Sequence, residues 1–165
     1  MALNFDRTLQ ESLARIGMKK YRKIEVHAIE EVRTPACSHI IETYGKAKWE
    51  VVERLNAHYG KNFDLHNWLN YNESDEVAYF LNEAGSNCLN YADFKAPSKF
   101  HLWKGRRGFV IGIEQIGEGF DAINVDLLKL KQNEGAAFEF FRRCKSNIFF
   151  DDPKSSNIVF MECLL

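Results

Sequence analysis

Two segments near the middle of the chain, SKFHLWKG and RGFVIGIEQ, meet at Gly105 and Arg106, and no other feature constrains the fold as tightly. A connection this short between two strand-like runs reads as an antiparallel hairpin. The second run is apolar along nearly its whole length instead of alternating, the pattern of a central strand covered on one side by helices. The flanking sequence has to supply those helices.

Leu9, Leu13 and Ile16 recur at helical spacing and stop at Gly17, so residues 5–19 read as a short amphipathic helix, an N-terminal extension over residues 1–20 packed on the outside. KIEVHAI (23–29) alternates and is β-branched, a strand signal. From Pro35 to Gly60 the pattern is one or two helices, with Trp49, Val52 and Leu55 as the buried stripe. Ser74 is placed to cap a helix over residues 74–91, with Asp75 and Glu76 favoured in its first turn by the macrodipole. Its apolar face is Val77, Phe80, Leu81, Ala84 and Cys88; its other face gathers Tyr79, Asn82, Glu83, Ser86, Asn87 and Asn90. After the hairpin come the turn GEGFD, a short helix (122–131), a helix over 134–145, and two strands, NIFFDD and SNIVFMECLL. Phe138, Phe140, Phe141, Phe149, Phe150 and Phe160 read as helix-on-sheet core.

The chain has 165 residues, 45% of them hydrophobic, enough for one core and near the usual size of one domain. Twenty-two Lys and Arg against 23 Asp and Glu leave a net charge of -1, so no global basic field points to nucleic acid. Cys37, Cys88, Cys144 and Cys163 are widely spaced among apolar neighbours, which suggests buried thiols in a reducing compartment, and no Cys/His spacing builds a metal centre. No run of about 18 apolar residues occurs, so no membrane span is expected and a cytoplasmic location is. Arg106 and Arg107 at the hairpin tip, and Arg142, Arg143 and Lys145 near a helix end, suit either a helix C-terminus or an anionic partner.

Three local features bear on function. Glu83 and Asn87, four apart on a helix, point the same way and could share a metal or a water, or lie on a solvated face. Gly117-Glu118-Gly119-Phe120 follows a strand, where glycines let a backbone approach a flat base or a phosphate, although such turns also occur where nothing binds. Gly135-Ala136-Ala137 opens a helix, which either exposes N–H groups to a phosphate or serves close packing.

In their order and spacing these pieces resemble the Bergerat-type ATP-binding domain. Glu83-Ala84-Gly85-Ser86-Asn87 is similar to its E-x-x-x-N box, Gln115-Ile116-Gly117-Glu118-Gly119-Phe120 to D-x-G-x-G-F, and Gly135-Ala136-Ala137-Phe138 to the G-x-G-hydrophobic box that opens the last helix. The resemblance covers roughly residues 23–165, and the short span between the last two boxes is most similar to the anti-sigma-factor serine kinases. It implies an α+β fold: a two-layer α/β sandwich with a mixed, mostly antiparallel sheet and helices on one face, forming a single domain over 1–165 with its second box at 108–120.

The same resemblance implies Mg-ATP, with Asn87 as the Mg²⁺ ligand, Glu83 as a catalytic base, and Gln115, Gly117, Gly119, Gly135 and Ala137 around the nucleotide. It also implies a protein partner, a sigma-factor-like or antagonist-like regulator, with homodimerisation compatible. Gln115 stands where the family has Asp and Ala137 where it has a second glycine. The amide still accepts a hydrogen bond but lacks the charge that strengthens it, and Ala137 loses the easy φ > 0 geometry. The expected function is therefore an ATP-binding regulatory protein that phosphorylates a serine of its partner; the alternative is a protein-binding module that kept the fold and no longer uses ATP.

Overall fold

The computed structural model describes residues 2–26, 37–70, 75–85, 97–115, 117–132 and 136–165. Helix α1 (Leu9–Ile16) opens with a capping box, in which Thr8 Oγ1 accepts the Glu11 amide and the Glu11 carboxylate accepts the Thr8 amide, and it ends at Gly17 in the left-handed region at φ 63°. The Arg107 guanidinium donates to the Ala14 and Arg15 carbonyls, each at 2.7 Å, closing the C-terminus of α1. Strand β1 follows at once as Met18–Glu25, so the N-terminal helical extension stops short of residues 18–20 and the strand begins five residues before the KIEVHAI signal. Residues 27–29 of that signal lie outside the described residues.

Helix α2 spans Cys37–Tyr59 as one element, ending at Gly60 with φ 62°. Val52 and Leu55 are buried as expected, together with Ala47 and Val51. Trp49 is 36% exposed instead: at 100° per residue it falls off the stripe that Val52 and Leu55 define, and its ring packs against His66. A 3₁₀ helix, Leu65–Asn70, leads to α3, which begins as the α-helical turn Glu76–Tyr79 and widens into a π-helix, Phe80–Ala84. Asp75, not Ser74, supplies the cap, accepting the Ala78 amide at 3.0 Å, and Ser74 lies outside the described residues, as do 86–91 of the expected helix. Strands β2 (Pro97–Gly105) and β3 (Gly108–Gln115) form the hairpin. Then come α4 (Ala122–Gln132), α5 (Ala136–Arg143), β4 (Asn147–Phe150) and β5 (Ile158–Leu164).

The five strands lie in the order β1-β2-β3-β5-β4 and every neighbouring pair is antiparallel, and a parallel bridge joins Leu3 to Ile148. The apolar run of β3 thus occupies the centre. Because side chains alternate, Phe109, Ile111 and Ile113 face one way and Val110 the other, and all four are fully buried. Each such burial contributes roughly 1.5–3 kcal/mol. The first set meets α2, α3 and α5 in the main core, the helical layer of an α+β two-layer sandwich. On the other face, α1 lays Leu9, Leu13 and Ile16 over Trp103, Val110, Phe149 and Phe160. The expected set of core phenylalanines is buried, divided between these two clusters. Among the described residues no helix is long and apolar enough to cross a membrane.

Candidate functional site

Glu83 sits on the π-helical stretch of α3, where the Gly85 N–H reaches back to the Phe80 carbonyl. Widened turns of this kind are frequent at functional sites. The stretch is held from α2: Tyr44 Oη donates to the Leu81 carbonyl at 3.1 Å, and Lys48 Nζ donates to Asn82 Oδ1 at 2.9 Å while lying 4.5 Å from the Tyr44 ring centre. Asn82 in turn donates to the Leu65 carbonyl at 2.8 Å. Burial pulls the Lys48 ammonium below its ordinary pKa, and the negative charge of Glu83 opposes that shift, which puts Glu83 within electrostatic reach of Lys48.

Gly85 is the point at which α3 touches the sheet. A Cβ there would lie 2.4 Å from Ile113 Cδ1 and 2.9 Å from the Phe80 carbonyl oxygen, so only glycine fits. Two residues beyond Ile113, on the same face of β3, is Gln115. Its amide N–H donates to the Asn157 carbonyl at 2.8 Å, its side chain is buried at 3% exposure, and neither Oε1 nor Nε2 has a hydrogen-bond partner among the described residues. Leaving a buried polar group unpaired costs roughly 1–3 kcal/mol. Asn157 Oδ1 is likewise buried and unpaired.

The GEGF turn continues from there. Gly117 adopts φ 112°, a conformation that side-chain-bearing residues avoid, and is exposed. Gly119 lies so close to the backbone of Ser155 that a Cβ would come within 2.6 Å of it, and Phe120 closes the turn by exchanging backbone hydrogen bonds with Ser156. Ala137, in the first turn of α5, is half-buried against the main core. Phe120 and Phe138 both pack on Phe150, edge-on at 6.1 Å and stacked at 6.3 Å. Helix α5 meets α3 through Phe141 on Phe80 and Phe140 on Tyr79.

The α3 stretch that carries Glu83 and Gly85 therefore meets both β3, which ends at Gln115, and α5, which carries Ala137, while the turn and α5 share Phe150. Asn87 and Gly135 lie outside the described residues, and among the described residues no three His, Cys, Asp or Glu side chains gather as a metal cage. Sequence reasoning placed Asn82 on the polar face of α3 but missed Tyr44 and Lys48, which hold that face from α2. The i, i+4 spacing of Tyr44 and Lys48 marks them as neighbours on one helix face, but nothing local says that the face meets α3. Of the expected cationic sites, Arg107 caps α1 and Arg142 is paired with Asp126, so both serve the fold. No family model matches this chain, and neither a curated protein nor a solved structure does.

Proposed function

We propose that this protein is a nucleotide-binding regulator of the Bergerat type, similar to the anti-sigma-factor serine kinases, with the base seated at Gln115. The observation that carries the reading is the Gln115 carboxamide: buried, with donor and acceptor both unspent among the described residues, at the end of the central strand and beside a glycine turn. A purine edge offers the complement, an exocyclic amine to donate to Oε1 and a ring nitrogen to accept from Nε2. Gly117, exposed with φ 112°, lets the backbone approach the base; by the resemblance, Ala137 in the first turn of α5 serves the phosphate side together with Gly135, and Asn87 holds Mg²⁺. Bound Mg-ATP supplies the phosphoryl group. Glu83 accepts the proton of a serine hydroxyl presented by a protein partner, with Lys48, tied to Asn82, within electrostatic reach of it.

The runner-up is a protein-binding module that keeps the fold without nucleotide. Phe120 and Phe138, buried together on Phe150, and the side chain of Ala137 against the core favour it, because they fill space near the two glycine boxes. Thermal unfolding with Mg-ATP, Mg-ADP and Mg-GTP separates the two. A ligand that binds only the native state at a hundredfold excess over Kd adds about 2.7 kcal/mol. A shift with purine nucleotides that Asn87→Ala abolishes is expected; no shift at millimolar nucleotide leaves the binding module.

A further inference from the structure

At the opposite end of the β2–β3 hairpin from Gln115, cations outnumber the acids that pair with them among the described residues. Lys20 and Lys104 are direct partners across β1 and β2, on the face that meets α2. Like charges placed opposite one another destabilise a sheet. Above them α2 presents Glu50, Arg54 and His58 at four-residue spacing. Glu50 takes both Arg54, at 2.9 Å, and Arg22 of β1, at 3.1 Å, so the one carboxylate seen pairing in this row among the described residues is already shared by two guanidinium groups.

The consequences appear in the titrating groups. Loss of water, then the charges of Lys20 and Arg54, hold Lys104 below the ordinary lysine value; loss of water, then Lys104 and Lys20, hold His58 below the ordinary histidine value. Glu53, exposed on the same helix, is not among the charges acting on either. Lysines on an edge strand are a common guard against aggregation, which accounts for Lys19 and Lys23 of β1. It does not account for a Lys facing a Lys beneath an Arg and a His. An anion of phosphate size offers each of the four a charge-assisted hydrogen bond and removes the repulsion.

We propose that this corner is an anion site for a phosphate-bearing ligand, with Lys20 and Lys104 of the sheet and Arg54 and His58 of α2 as its cradle. Lys104 pairs with Phe109, six residues before Gln115 on β3, so the corner lies about 20 Å along the strand from the proposed base seat and is independent of it.

The test is titration with pyrophosphate and with O-phosphoserine at low ionic strength, read by NMR of the His58 ring and by thermal unfolding. Saturable binding of at least one probe is expected, with a rise in the His58 pKa on saturation. The preferred probe distinguishes a polyphosphate from a phosphorylated side chain as the source. Lys20→Glu and Lys104→Glu should each weaken binding at least tenfold, yet raise the melting temperature of the ligand-free protein by about 2 °C, because each replaces a repulsive pair with an attractive one. Non-saturable shifts with both probes, or saturable binding unchanged in both variants, would overturn the proposal.

Discussion

A buried carboxamide with no partner is an expensive residue to keep. At Gln115 both polar atoms are enclosed and, among the described residues, unpaired, while the backbone N–H is satisfied through Asn157. Methionine has nearly the same shape and no hydrogen-bonding demand, so Gln115→Met should relieve the desolvation penalty and stabilise the ligand-free protein by about 1 kcal/mol. The same substitution removes the groups proposed to read a purine. Urea unfolding with and without Mg-ATP tests both effects together: a higher midpoint alone, with the nucleotide-induced increment lost, is expected. A lower midpoint would mean that the amide has a structural partner, and an unchanged increment would place the base elsewhere.

At the scale of elements, the contact of α3 with β3 at Gly85 sets how the π-helical stretch meets the sheet. Gly85→Ala places a methyl against Ile113 Cδ1 and the Phe80 carbonyl, and overpacking of this kind costs about 1–3 kcal/mol. Ile113→Val deletes the offending Cδ1, so the double variant should lose less than the sum of the two single losses, a coupling measurable in a double-mutant cycle by denaturant unfolding. Additive losses would show that the backbone oxygen alone sets the limit. Gly85 also shows where sequence reading ends. It lies inside the E-x-x-x-N stretch, and its place between Glu83 and Asn87 was visible, but the reason for glycine is a side chain on a strand almost thirty residues away. The hairpin, the stop at Gly17 and the stop at Gly60 were legible because capping and period are local. The start of β1 was not, since MKKYRKIE is lysine-rich and becomes a strand by pairing with β2. Nor was the π-helix, which changes the register of α3 after Tyr79: Gly85 stands at its end, but a lone glycine in a helical pattern does not specify a widened turn. The candidate site was legible as a set of glycines and polar residues, but the burial of Gln115 and the approach of Lys48 belong to tertiary structure.

The whole molecule is a sheet with apolar clusters on both faces, and its charges mark how the outer helix is held. The Glu162 side chain is fully buried, with Arg7 and Arg15 each 3.3 Å away and Asn147 Nδ2 donating at 2.9 Å, so α1 docks on the sheet through a buried carboxylate as well as through Ile16. In the next position of β5, Cys163 points to the opposite face beside Ser146, their Sγ and Oγ 3.2 Å apart, and burial pushes its thiol, like that of Cys144, up to about 12 from 9.0. A thiol held protonated in the native state and ready to ionise once unfolded contributes stability that is complete below pH 9 and lost as pH rises toward 12. Unfolding free energy should therefore be flat from pH 7 to 9 with respect to these groups and fall above it. Tyr59, whose hydroxyl lies against the Gly105 and Gly108 carbonyls, is also raised by burial and so adds to the alkaline fall in the same direction. Cys144→Ala/Cys163→Ala should then shrink the alkaline fall without abolishing it, and an unchanged slope would contradict the assignment. Near pH 8 the two native thiols should react with iodoacetamide only as fast as the surrounding structure opens, with peptide-resolved mass spectrometry following each residue. Rapid alkylation of Cys163 under native conditions would mean that the β5 end of the sheet opens independently of the core, and that α1 and the main core do not unfold as one cooperative unit.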